Sequence, residues 1–240
     1  SNRGKVGKIR EIGEIIFRKI LNFGNDYKFM FGFLYNDKET MKRLNLLDDS
    51  LAHLLMELAK TVKDAGNAAI HTQRIKVFSD NEVREDEEAL NKMYACLFIN
   101  YFLKYPLNIY NSVSLSSSRL FSYLPPVIRF HTLSFLYKAD PQNIQIVNKL
   151  CLAYIKTYGK DSALEWLKEN ESKIKEIPYP SPAQQQVYFK LNPVVQIDGK
   201  YFHVFSIKLN YFDNMFDLLK DKIKDKNTDI NEKEKMYSTF

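Results

Sequence analysis

The chain has 240 residues, of which 45% are apolar and 27% charged, the balance of a folded, water-facing protein and not of a disordered or collagen-like one. Eight glycines and eight prolines over that length leave few breaks, which favours helices over a turn-rich β fold. A formal charge of +6 at pH 7 permits contact with nucleic acid or an anionic surface without requiring it.

In chain order, Ser1-Asn2 lacks an initiating Met and reads as a tag remnant. Arg3, Lys5, Lys8 and Arg10 form the densest basic run, read as an arm able to touch phosphates. From about Lys8 to Phe23, Ile9, Ile12, Ile15, Ile16 and Ile20 recur at helical steps, and Gly24-Asn25 is a suitable end. The aromatic stretch 27–35 has no clear period and is expected to be a short helix or a loop packed on a bundle. A short helix follows from Asn36 or Asp37 to Leu44. Residues 48–50 then cap a longer one marked by Leu51, Leu54, Leu55, Leu58 and Val62.

After a connection at 72–82, Asp80 or Asn81 is the expected cap of an apolar helix carrying Ala89, Leu90, Met93, Tyr94, Leu97, Phe98 and Tyr101. Tyr105-Pro106 closes it, because the residue before Pro avoids helical dihedrals. The longest apolar run lies in this helix, at 95–103. It is interrupted by Asn100 and is far short of the roughly 20 residues a membrane span needs. The Ser-rich segment 111–118 is the expected domain boundary. Pro125-Pro126 opens a further helix to Lys138, and Asp140-Pro141 opens a helical hairpin with Gly159 at its turn. Pro178, Pro180 and Pro182 stiffen a linker. Asp198-Gly199, between two apolar runs, is a two-residue β-hairpin signal. A last helix runs from Tyr211 to about Lys224.

The expected fold class is therefore mainly α: a helical bundle, a second helical segment and a small C-terminal β-hairpin. The domain assignment is a bundle at 8–110, a helical hairpin segment at 111–178, and the β-hairpin plus terminal helix at 179–240, packed on the helices. Cys96 and Cys151 both fall in apolar helical patterns, so reduced, buried thiols and a cytoplasmic protein are expected.

Between the two strongest helices lies TVKDAGNAAIH, 61–71. Asn67 and His71 stand four apart, which stacks amide and imidazole on one face of a continuing helix. With an apolar helix before it and an acidic start to the next, GNAAIH resembles the HEPN-like helical domain of type I restriction subunits and other bacterial defence proteins. That family's pattern is an early helix of the kind R-x-x-L-E, a helix ending in a basic residue, G-N-x-A-x-H, and a long apolar helix. Here residues 9–21 supply the first helix, without a residue-by-residue match. Lys63 supplies the basic residue, Gly66, Asn67, Ala69 and His71 the core, and 89–103 the last helix.

The resemblance implies a module at about 8–110 that binds RNA, DNA or a partner subunit, with Lys63, Asn67, His71 and Arg74 as binding residues and His71 as the one catalytic candidate. It also implies a two-fold homodimer or a stable complex with a partner subunit. Catalytic members cut RNA with an Arg separated from the following His by four to six intervening residues, the His moving a proton and the Arg holding the phosphate. The three positions that would carry that Arg are Asp64, Ala65 and Gly66, and none is basic. A non-catalytic binding module is therefore the expected function. A degenerate, metal-independent ribonuclease using His71, or a general helical protein–protein adaptor, is the alternative. No cofactor and no metal are expected: His53, His131 and His203 have no Cys or carboxylate at metal-ligand spacing. No membrane association is expected.

Overall fold

A computed structural model of the chain describes residues 1–24, 26–70, 76–107, 121–182, 185–186, 194–203 and 212–225. Over these residues the protein is mainly α, with nine α-helices and a two-stranded antiparallel hairpin. It divides into two compact units, Ser1–Leu136 and Tyr137–Phe240. Among the described residues no helix is long and apolar enough to cross a membrane.

Three long helices make the core of the first unit: α1 (Asn2–Ile20), α3 (Asp49–Ile70) and α4 (Asp80–Lys104), with the short α2 (Lys38–Leu44) between α1 and α3. Their apolar stripes meet. Ile9, Ile16, Phe17 and Ile20 of α1 pack with Leu51, Leu55, Ala59 and Val62 of α3 and with Ala89, Met93, Cys96 and Ile99 of α4. Removing each large side chain of this set from water contributes roughly 1.5–3 kcal/mol, so the seam between the stripes holds the unit together. α1 begins at Asn2, so the basic run is helix and not an arm. Asn2 Nδ2 donates to the Phe78 carbonyl at 3.0 Å and to Asp80 Oδ1 at 2.9 Å, and Arg3 Nε donates to the Ala69 carbonyl. α1 stops at Ile20, earlier than Gly24. Asn22 takes the left-handed conformation at φ 52°, and the Asn22 and Phe23 amides donate back to the carbonyls of Lys19 and Arg18. That pairing satisfies two helix-end carbonyls, and Asn tolerates the left-handed conformation it needs. Asn25 lies outside the described residues.

The aromatic stretch is a connection with one 3₁₀ turn, Phe31–Phe33. Phe29, Phe31 and Leu34 point inward, while Met30, Phe33 and Tyr35 are about half exposed. Inside, Phe29 stacks on Phe17 with ring centroids 5.0 Å apart, and Phe31 meets Phe17 edge-on at 5.6 Å. The start of α4 corrects the expected cap. Ser79 caps it, its hydroxyl accepting from the Glu82 amide at 3.2 Å while Glu82 accepts from the Ser79 amide at 2.9 Å. This is the reciprocal pairing of S-x-x-E, legible as Ser79-Asp-Asn-Glu82. Lys76 and the two Ser79 contacts hold the Glu82 carboxyl down to about 2.

The second unit contains a helical hairpin, α6 (Ile144–Tyr158) and α7 (Lys160–Glu169), then α8 (Glu171–Lys175), β1 (Val194–Ile197), β2 (Lys200–His203) and α9 (Met215–Asp225). A further helix, α5 (Pro126–Ala139), precedes them. Asn143 caps α6, its side chain accepting from the amides of Gln145 and Ile146, so the helix starts three residues later than Asp140-Pro141 implied. Gly159, at φ 92°, makes the turn between α6 and α7 in a conformation that a side chain disfavours. Trp166 is buried between Tyr154, stacked at 5.2 Å, and Tyr137, edge-on at 5.7 Å. The hairpin is as the sequence implies. Val194 pairs with His203 and Ile197 with Lys200, and Asp198 and Gly199 both have positive φ, the geometry of a type I′ turn. Segment 111–118 lies outside the described residues.

Cys96 and Cys151 form no disulfide and are fully buried, and burial pushes the Cys96 thiol up to about 12. Because the thiolate is the reactive form, native protein is expected to leave both thiols unmodified by a colorimetric disulfide reagent at pH 8 over an hour. Two equivalents should react promptly once denaturant is added. Rapid labelling of the native protein would contradict this core.

Candidate functional site

Lys63, Gly66 and Asn67 lie on the C-terminal half of α3. Arg3 of α1 bonds Ala69 of α3, and Gly13 of α1 faces Val62, so the two helices run antiparallel with the basic N-terminal half of α1 beside this segment. Their approach is closest at Gly66. A Cβ placed there would lie 2.6 Å from Arg10 Cβ and 2.8 Å from Arg10 Cγ, so only glycine lets the Arg10 stem cross α3. Gly13 does the same one turn along, where a Cβ would meet Val62 Cγ1 at 3.0 Å and the Phe31 ring at 3.4 Å.

Having crossed, Arg10 donates from Nη1 to Asn67 Oδ1 at 2.6 Å and from Nε to Glu14 Oε1 at 3.4 Å. Glu14 Oε1 also accepts from the Phe31 backbone N–H at 3.0 Å, tying the aromatic connection to the same corner. The Arg10 and Glu14 side chains are only 15% and 22% exposed, so their charges interact more strongly than a surface pair would. Lys63, one turn before Asn67, holds its Nζ 5.0 Å from the centre of the Tyr35 ring, a cation–π contact. The site is thus Arg10, Lys63 and Asn67, supported by Gly66 and Glu14 and bordered by the half-exposed Tyr35, with half-exposed Phe33 two residues before it in the chain. Guanidinium and asparagine amide both carry N–H donors. What they do is hold acceptors in place.

Among the expected site residues, Lys63 and Asn67 belong to this cluster, while His71 and Arg74 lie outside the described residues. The sequence reading placed Arg10 only in the basic run, without its link to Asn67, and missed Glu14. Their signal was present as Arg10-Glu-Ile-Gly-Glu14, an R-x-x-x-E spacing that places both side chains on one helix face.

Asp86 of α4 was read only as one of the acidic residues near the helix start. It is 5% exposed, one turn from Val83 and one from Ala89, both buried. Burial pushes its carboxyl up to about 6, with Glu82 and Glu85 adding and Lys76 opposing, and no hydrogen bond to it is present among the described residues. His131 of α5 is also mostly buried, with Nε2 3.0 Å from Glu88 Oε1. Burial lowers its pKa against the pull of Glu88. His53 is exposed beside Glu57. Among the described residues no group of three or more His, Cys, Asp or Glu is placed to hold a metal ion. A cavity of about 340 Å³ lies at the opposite end of α1, between Ile20, Leu21, Arg43, Leu47 and Lys104, away from Asn67.

No family model, curated protein or solved structure matches the chain. The site is therefore read from its own geometry and from the resemblance of its motif.

Proposed function

We propose that residues 8–110 form a non-catalytic HEPN-like binding module that works in a nucleic-acid or defence context. It engages nucleic acid or a partner subunit through the face carrying Lys63 and Asn67. The observation that supports the reading best is the Arg10–Asn67 pair at 2.6 Å. Within one corner of the bundle it joins the early-helix Arg, the Glu four residues on, and the Gly-Asn of the G-N-x-A-x-H motif. These are the elements the family pattern lists separately along its sequence.

The Asp64, Ala65 and Gly66 positions supply no cation at the spacing that phosphodiester cleavage in that family uses, so the module binds without cutting. Purified protein is expected to leave a panel of structured and single-stranded RNAs intact, with or without divalent metal. Cleavage lost in a folded His71→Ala variant would replace this reading with the ribonuclease one. The test of binding is recovery of the full chain from its native host, with co-purifying protein identified and bound nucleic acid sequenced. Recovery of neither, together with strictly monomeric light scattering at high micromolar concentration, would remove the proposal.

A further inference from the structure

We propose that the ligand of this face is single-stranded nucleic acid, its bases stacked on Tyr35 and Phe33 and its phosphates held by Lys63, Arg10 and Asn67. The inference rests on the binding-module reading above and adds the class of ligand. Three observations carry it. Tyr35 and Phe33 are 51% and 54% exposed while Leu34 between them is fully buried. The turn is thus anchored by its middle residue and presents a ring on each side of it. Lys63 occupies one face of the Tyr35 ring and leaves the other available, so a cation already stands beside a stacking platform. Arg10 and Asn67 keep spare donors: Arg10 uses Nε and Nη1, and Asn67 uses its oxygen, so Arg10 Nη2 and the Asn67 Nδ2 amide have no partner among the described residues.

Spare N–H donors beside a lysine complement phosphate oxygens. Arg3, two turns from Arg10 on the same side of α1 and bonded to the Ala69 carbonyl of α3, adds a further cation along this face, Glu14 offsetting part of the charge. Half-exposed rings with a cation beside one of them suit an unpaired strand, because each of its bases has a free face. A duplex keeps its bases stacked on one another and offers these rings nothing. An apolar protein partner would leave the Arg10 and Asn67 donors unsatisfied when it buried them, which is costly.

The test is fluorescence anisotropy of the full chain with end-labelled 12-nucleotide RNA, the same sequence as DNA, and the matching duplex, at two salt concentrations. Single strands are expected to bind at least tenfold more tightly than the duplex. Tyr35→Ala and Phe33→Ala should each weaken single-strand binding by roughly five- to a hundredfold, while Tyr35→Phe, which keeps the ring, stays within about twofold. Lys63→Gln should weaken all forms and flatten the salt dependence. Melting curves confirm that each variant folds. Equal affinity for duplex, or a Tyr35→Ala variant that binds normally, would overturn stacking and leave a charge-only contact, with the module reading intact. Absence of binding to every nucleic acid would overturn the inference. The module reading then stands only if a partner subunit is recovered that Lys63→Gln or Tyr35→Ala releases.

Discussion

Gly66→Ala is expected to lower the unfolding free energy by about 2–4 kcal/mol, although alanine is the better helix former by about 1 kcal/mol. The reason is that the new methyl group would sit 2.6 Å from Arg10 Cβ. Cβ is fixed to the α1 backbone and cannot rotate away as a side-chain tip does, so α1 must move off α3. That movement also breaks the 2.6 Å bond from Arg10 to Asn67, a charge-assisted contact whose loss costs about 1.5–3 kcal/mol. Gly7→Ala is the matched control. It lies in α1, the helix that faces Gly66, and a Cβ there meets nothing within 4 Å, so the variant should be as stable as the parent or up to about 1 kcal/mol more so. Urea unfolding of the three proteins compares them directly. A Gly66→Ala variant as stable as Gly7→Ala would mean that the two helices do not cross this closely in solution.

Asp86→Asn should stabilise the protein, and only above mildly acidic pH. The carboxyl is raised from 3.8 to about 6 because ionising it inside the bundle is unfavourable. A raised carboxyl binds its proton more tightly folded than unfolded. The parent therefore keeps its full stability below pH about 4 and loses part of it as pH rises through 6. A difference of about two pK units corresponds to a ceiling of about 3 kcal/mol at pH 7.5. Asparagine keeps the shape and carries no charge, so it should recover 1–3 kcal/mol at pH 7.5, by order of magnitude, and almost nothing at pH 4. Chemical denaturation of parent and variant at the two pH values is the measurement. A variant less stable than the parent at pH 7.5 would show that the ionised carboxylate is held by a favourable partner.

The outline of the fold was legible because helix and hairpin signals are local. The three- and four-residue spacing of Leu51, Leu55, Leu58 and Val62 announces one buried face, and Asp198-Gly199 supplies the two positive-φ residues a type I′ turn requires. The capping box at Ser79 was equally local and was passed over because Asp80 and Asn81 beside it looked suitable as caps. Phe31 and Phe33 are alike in sequence, yet one is buried and the other half exposed, because which ring turns inward depends on where α1 and α3 leave room.

For the site, the sequence by itself determined the residue types of 61–71, the absence of a cation at 64–66, and a glycine inside a helix where glycine is unfavourable. Only the tertiary structure decided what that glycine is for. Arg10 and Asn67 are 57 residues apart, and no local rule relates them. They meet because α1 and α3 pack antiparallel at one register, set by the fit of their apolar stripes. Likewise Asp86 reads as one more acid in a charged helix start until packing buries the helix face it shares with Val83 and Ala89, where desolvation changes its chemistry.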